Sequence, residues 1–153
     1  MSTDRGATAG TTIREAQVKD GAEIADLSGQ LGYPATVNDM KRRLGEICGD
    51  DNCMLLVAES DGCVVAWLLI HIYRLVSSDS LAQIAGLVVD EKHRNQGIGA
   101  LLMERAEAWA RAKMCRGVML RSRATRKDAH NFYKRLGYAC IKTQDVFLKE
   151  FKF

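Results

Sequence analysis

The sequence predicts an α/β fold in which helices cover both faces of one mixed, mostly antiparallel sheet. Two observations carry this expectation. The apolar run IAGLVV (residues 84–89) has strand character, and it leads through a short charged segment and the turn Asn95-Gln96-Gly97-Ile98-Gly99 into a long helix-forming stretch. A second apolar run, Val118-Met119-Leu120, follows that helix. Strand, loop, helix and strand at this length make a βαβ unit, whose two strands run parallel with a right-handed crossover. Ahead of the unit, two apolar runs are joined by Asp61-Gly62, a two-residue hairpin signal. With 47% hydrophobic residues in 153 positions, the chain has the material for one domain with a core.

Taken in order, residues 1–10 (MSTDRGATAG) are small and polar and are expected to form a disordered tail, which leaves 11–153 as the folded domain. Residues 11–18 read as a first strand, with Ile13 and Val18 as its apolar members. Asp20 and Glu23 have the spacing of a capping box, and the helix they start carries Ile24, Leu27 and Leu31 on one face. Gly32 ends it and Pro34 prevents its resumption. After this bend Thr36 caps a second helix with the apolar line Met40, Leu44 and Ile47, stopped by Gly49. Tyr33 either packs beneath the bend or lines a pocket there.

Residues 53–59 form a strand and residues 64–73 its return partner. The partner is apolar nearly throughout and therefore central. His71 is its one titratable group, read as a hydrogen-bonded structural residue ahead of a catalytic base. Residues 81–89 are the next strand. The following helix, from about Gly97 to Met114, turns Ile98, Leu101, Leu102, Ala106, Trp109 and Ala112 inward, with Met103 also read as core and Glu107–Arg111 as an i,i+4 pair. Thr125 then caps a last helix with Ala129, Phe132, Tyr133 and Leu136 on one face and Gly137 just past its end. Residues 138–141 and 145–151 read as a final pair of strands. The order is βααβββαβαββ.

Composition removes several classes. A net charge of +3, from 22 basic and 19 acidic residues, does not argue for nucleic acid. No apolar run approaches the roughly 18 residues that cross a bilayer, and the N-terminus has no apolar signal core, so no membrane association is expected. The five cysteines form no C-x-x-C pair and imply no metal site. They read as reduced thiols of a cytoplasmic protein, each a small core residue.

The chemistry concentrates at the glycine turn. The first N–H groups of a helix have no partners within it, the helix dipole adds positive potential, and glycines let an anion approach the backbone. A phosphate loop of the G-x-x-x-x-G-K-[ST] type needs a Lys that is absent here. A dinucleotide fingerprint, G-x-G-x-x-G, needs a third glycine where Leu102 stands. What remains is R-x-x-G-x-G, from Arg94 to Gly99, after a strand ending Val-Val.

That motif resembles the coenzyme A pyrophosphate loop of the GCN5-related N-acetyltransferase (GNAT) family. The helix A-H-N-F-Y-K-R-L-G-Y (residues 129–138) resembles the family's second motif, A-x-x-x-Y-x-x-x-G-[FY], and the whole element order is similar from about Ile13 onward. The resemblance implies a single-domain acyl-CoA N-acyltransferase fold and transfer of an acetyl group from acetyl-CoA to a primary amine, of a small molecule or a protein, by direct attack. It implies that the backbone of Leu87, Val88 and Val89 pairs with the pantetheine arm and that an N–H near Val88 or Val89 serves the oxyanion. It implies too that the amides of Arg94, Asn95, Gln96, Gly97, Ile98, Gly99 and Ala100 hold the pyrophosphate. Arg94 and Arg126 become candidates for the outer phosphates, with Lys92 and Lys127 beside them, and Tyr133 becomes the acid that protonates the leaving thiolate. The hydrophobic final strands suggest a homodimer by the same resemblance.

Two departures matter. Many members carry an acidic base on the strand before the loop, where this chain has Ala85 and Gly86. Members often have Asn where Arg126 begins the last helix. Glu91, His71 and Asp90 remain candidates for the base, and none is assigned. The missing base motivates an alternative function, a non-catalytic acyl-CoA sensor or regulatory module, against which Tyr133 argues because a binder needs no acid. The acceptor amine is not legible.

Overall fold

The computed structural model describes residues 10–153, so the tail expected over residues 1–10 lies outside the described residues apart from Gly10. The chain divides into two compact units, Met1–Leu120 and Arg121–Phe153. The first holds strand β1 (Thr11–Glu15), helices α1 (Gly21–Gln30) and α2 (Val37–Ile47), strands β2 (Cys53–Ser60), β3 (Cys63–Tyr73) and β4 (Leu81–Val89), helix α3 (Ile98–Ala112) and strand β5 (Val118–Leu120). The second holds helix α4 (Lys127–Arg135).

The sheet of the first unit runs β1-β2-β3-β4-β5. The three pairings up to β4 are antiparallel, and β4 with β5 is parallel, as the βαβ reading requires. Asp61 and Gly62, both at positive φ, make the tight turn between β2 and β3. Pleating divides the strands between two cores. Leu55, Val57 and Val88 join Ile24, Ala25, Leu27, Met40 and Leu44 in the cluster under α1 and α2, with Trp67 and Leu69 packed against it. The alternate residues Leu56, Ala58, Leu68, Ile70, Ala82 and Ile84 are buried on the other face. There α3, which contacts β2, β3 and β4, contributes Ile98, Leu102, Met103, Ala106 and Ala110. The inward stripe of α3 therefore includes Ala110, whereas Ala112 is exposed.

Side chains fasten the ends of the helices. Thr36 Oγ1 accepts from the Asp39 N–H and caps α2 as expected. The expected Asp20–Glu23 capping box does not form, because both carboxylates have stronger partners. Asp20 accepts a two-pronged bond from Arg14 on β1 (2.9 Å each) and the Gln17 N–H (2.8 Å). Glu23 reaches the Val64 N–H on β3. Residues 16–20 therefore leave the sheet, with Val18 exposed in a single 3-10 turn (Val18–Asp20), and β1 ends at Glu15 instead of continuing to residue 18.

Two further expectations are corrected. No cysteine is a fully buried core residue: Cys48, Cys53 and Cys115 are half-buried, while Cys63 and Cys140 are exposed. The final strands expected at 138–141 and 145–151 are absent, and the chain after α4 has no regular element. β-propensity is realised only by pairing, and the second unit offers no strand to pair with. Ile141, Val146, Phe147, Leu148, Phe151 and Phe153 are accordingly exposed.

The Arg14–Asp20 contact is the most deeply placed ion pair described, with Asp20 only 2% exposed. The Arg14 guanidinium, aided by the Gln17 N–H and opposed by burial, holds the Asp20 carboxyl below its ordinary range. A depressed carboxyl contributes stability above its unfolded pKa of about 4 and loses it as pH falls through the lower folded value. Asp20→Asn should cost about 2–3 kcal/mol in urea unfolding at pH 7. The gap between wild type and variant should close as the pH is lowered below about 4.

Candidate functional site

β4 is paired on both edges for only part of its length. Ala82, Gln83 and Ile84 pair with β5, which ends at Leu120, while on the other side β3 follows β4 to Val89. A bulge at Ala85, where Leu69 pairs with Gly86 and Ile70 with Ile84, marks the change. Beyond it, among the described residues, no strand pairs with the edge of β4 that faced β5, and that edge is open. The Asp90 N–H donates to Val65 O at 2.8 Å, so alternation turns the amides of Gly86 and Val88 toward β3 and those of Leu87 and Val89 toward the open edge. Val89 O on that edge accepts from Arg94 Nε at 3.1 Å. The stretch singled out as Leu87, Val88 and Val89 therefore presents Leu87 and Val89 outward, and Val88 puts its side chain into the α1/α2 core.

The loop that follows is shaped for an anion. A 3-10 turn (Glu91–His93) leads to Arg94. Asn95 (φ 62°) and Gly97 (φ 81°) are both left-handed, with Gln96 between them. Gly97 is the N-cap of α3, and no side chain caps this end. The N–H groups of Ile98, Gly99 and Ala100 thus begin the helix without intrahelical acceptors, and the first i→i−4 bond runs from Leu101 N to Gly97 O. Left-handed turns ahead of an uncapped helix gather backbone N–H groups into a concave cradle. Ile98 is buried and anchors the helix start to the core.

Sequence reasoning missed a clasp that ties this region to α1. Gln30, the last residue of α1, donates through Nε2 to Asp90 Oδ1 (2.9 Å) and accepts the Glu91 N–H through Oε1 (3.2 Å). His93 Nδ1 lies 2.8 Å from Asp90 Oδ2. A long polar side chain at a helix end, sixty residues from its partner, gives no local signal. The clasp sets the bend after α1 beside the end of β4. In that bend Gly32 takes φ 96° and the Tyr33 N–H bonds Ser28 O, a Schellman ending. Tyr33 is 63% exposed, so it does not pack beneath the bend.

Of the two positions on β4 where a base is missing, Gly86 has a neighbour that fills its side-chain space. A Cβ on Gly86 would stand 2.6 Å from Trp67 Cη2 and 2.7 Å from Cζ3, so the indole of β3 occupies the space of any side chain there. Among the described residues Trp67 Nε1 is buried without a hydrogen-bond partner. Ala85 is exposed on the bulge. Of the three base candidates, Asp90 is held below the ordinary carboxylate range by Gln30 first and His93 second, which makes it a poor proton acceptor. His71 directs Nδ1 to Ile72 O at 3.3 Å, in keeping with a structural role. Glu91 is exposed.

In the second unit, α4 begins at Arg126 with no side-chain cap, so Thr125 does not cap it; Thr125 O instead accepts the Lys127 N–H. The helix ends in a Schellman motif, with Gly137 at φ 94° and the Tyr138 N–H on Tyr133 O at 3.0 Å. The rings of Tyr133 and Tyr138 meet edge-on at 6.1 Å, and those of Phe132 and Tyr133 at 5.1 Å. The backbone lock and the ring contacts fix the Tyr133 side chain. Burial raises its phenol above the ordinary value, against the opposing charge of Arg126, so Tyr133 is protonated at neutral pH.

Comparison with known proteins decides the family. Residues 23–138 match the family model described as Acetyltransferase (GNAT) family. The chain belongs to the GNAT acetyltransferases. It is 30% identical over 136 residues to an uncharacterized N-acetyltransferase of Chlorobaculum tepidum, covering 89% of this chain and 80% of that one. A solved structure described as a transcriptional regulator from Bacillus halodurans superposes with a TM-score of 0.81 at 26% identity, over 91% of this chain and 99% of that one. Glucosamine-6-phosphate N-acetyltransferase from Arabidopsis thaliana shares the fold, with a TM-score of 0.79 at 22% identity over 92% and 99% of the two chains. This GNAT protein is thus an acetyl-CoA-dependent N-acetyltransferase built on a five-stranded mixed sheet. Among the described residues no helix is long and apolar enough to cross a membrane.

The left-handed geometry at Gly97 is directly testable. Gly97→Ala places a Cβ at φ 81° and should lower stability by about 1 kcal/mol in chemical denaturation, with no change in the secondary-structure spectrum.

Proposed function

We propose that this GNAT protein transfers the acetyl group to a primary amine by direct attack, with the thioester held along the open edge of β4 and Tyr133 as general acid. The open edge carries the reading. The outward N–H and C=O of Leu87 and the N–H of Val89 suit an extended amide chain such as pantetheine, paired as an added strand. The Val89 N–H is the candidate oxyanion donor, in place of Val88, whose amide faces β3. The amides of Ile98, Gly99 and Ala100, the cradle formed by Asn95, Gln96 and Gly97, and Arg94 suit a pyrophosphate. The charge of Arg126 suits an outer phosphate.

In the reaction the amine nitrogen bonds to the thioester carbonyl carbon and sheds a proton to solvent, and the C–S bond breaks, which leaves a thiolate. Tyr133, kept protonated by burial, gives its proton to that sulfur and is reprotonated from solvent. The acceptor is an amine of a small molecule or of a protein. Tyr133→Phe should reduce amine-dependent thiol release about a hundredfold while the dissociation constant for coenzyme A stays within twofold. Unchanged release would remove Tyr133 from the mechanism. Gly97→Ala should weaken coenzyme A about tenfold by calorimetry, since its Cβ crowds the phosphate cradle.

The same reading takes the protein as a homodimer. Six large apolar side chains exposed within residues 141–153, Phe147 at 92%, exceed what a monomer's surface normally leaves together. A second copy is the occupant, since each chain supplies an unpaired segment of strand-forming sequence. Sedimentation should give a dimer, and Phe147→Asp with Phe151→Asp should give a monomer. A monomeric wild type at micromolar concentration would end this reading.

A further inference from the structure

We propose that Trp67 is a specificity-determining residue of the acceptor site: its indole fills the volume in which a side chain at position 86 would stand, so the incoming amine is desolvated against carbon and not deprotonated by a carboxylate of β4. The inference rests on the acetyl-transfer reading above and deepens it.

Gly86 lies on β4 next to the bulge where the open edge begins, one residue from the outward amide of Leu87. Its face of the sheet is that of Trp67, Leu69 and Val88, toward α1 and the bend fastened by Gln30. An amine approaching a thioester on the open edge from this side meets the Trp67–Gly86 surface. That surface is closed to any Cβ at 86, which would lie 2.6 Å from the indole. Packing against the cluster under α1 and α2 holds the ring in this orientation. The larger ring is what reaches Gly86.

The titratable groups of the surrounding elements have other duties or face water. Glu23 of α1 serves the Val64 N–H, and Asp26 is exposed. Asp90 serves Gln30 and His93, and His71 on β3 bonds Ile72 O. Arg14 pairs with both Asp20 and Glu59. Tyr33 projects from the bend and Glu91 lies on the surface beyond β4. A carbon surface disfavours the ammonium form and so favours loss of its proton to solvent before attack. The C–N bond then forms and the C–S bond breaks. The sulfur takes the proton of Tyr133, and the proton shed by the nitrogen returns to Tyr133 through solvent.

The test is the pH dependence of kcat/KM for acetyl-CoA thiol release with primary amines whose pKa values span about 7 to 10. In wild type the logarithm should rise with unit slope to an inflection that moves with the amine chosen. A fixed inflection between about pH 5 and 8, shared by all amines, would reveal a protein base and overturn the proposal. Gly86→Ala should raise the amine KM at least tenfold with coenzyme A affinity unchanged, and Trp67→Ala, which removes the carbon surface, should raise it likewise; an amine KM unchanged in Trp67→Ala would overturn the proposal. If Gly86→Ala fails to fold, the Trp67→Ala variant still reports. Trp67→Ala with Gly86→Glu should acquire an amine-independent inflection; a profile still following the amine would show that position 86 does not face it. Trp67 emission, read in a Trp109→Phe background with coenzyme A bound, should change on adding amine. No emission change and no turnover across the panel would overturn the proposal. Loss of coenzyme A binding in wild type would instead overturn the acetyl-transfer reading itself.

Discussion

The proposed site depends on an unequal pairing of one strand. β4 keeps β3 beside it to Val89 but loses β5 after Ile84. An interior strand thereby becomes an edge without leaving the core, since Val88 still packs under α1. Exposed edges are usually hazards because their amides seek other chains. Here the exposed length is a few residues, and it ends in a loop whose amides also point outward. The open edge and the uncapped start of α3 are consecutive, so an extended ligand with an anionic end can follow both.

Rigidity around that edge comes from polar contacts distant in sequence. Arg14 joins the first strand to Asp20 and Glu59, which fixes the chain ahead of α1. Gln30 joins the other end of α1 to Asp90 and Glu91. Between these two attachments α1 buries Ile24, Ala25 and Leu27 on the sheet. The bend that follows is positioned by both ends of its helix, while its own side chain Tyr33 remains in solvent.

Much of this was legible in the sequence, and the failures are instructive. Strand β4 and β5, the Asp61-Gly62 turn, the Thr36 cap and the glycine endings at Gly32 and Gly137 follow from periodicity and turn chemistry that act within a few residues. The glycine loop was readable because its spacing excluded the other phosphate loops. What local pattern could not give were side chains with two possible uses. Asp20 looked like a helix cap but is claimed by Arg14, and Thr125 offered a cap that α4 does not take. The last two strands had apolar content but no partner edge in their own unit. Gly86 looked like a lost base, and only the position of Trp67, nineteen residues earlier, shows why a glycine is needed.

The Trp67–Gly86 contact also constrains how such a protein changes over generations. A replacement at 86 collides with the ring, whereas a smaller residue at 67 merely opens a cavity. The two routes from this pair to one with a side chain on β4 are therefore unequal. Position 67 must shrink first, through an intermediate with a gap in the core, before position 86 can accept a carboxylate. A survey of single substitutions would score Gly86 as sensitive, although its intolerance belongs to its neighbour.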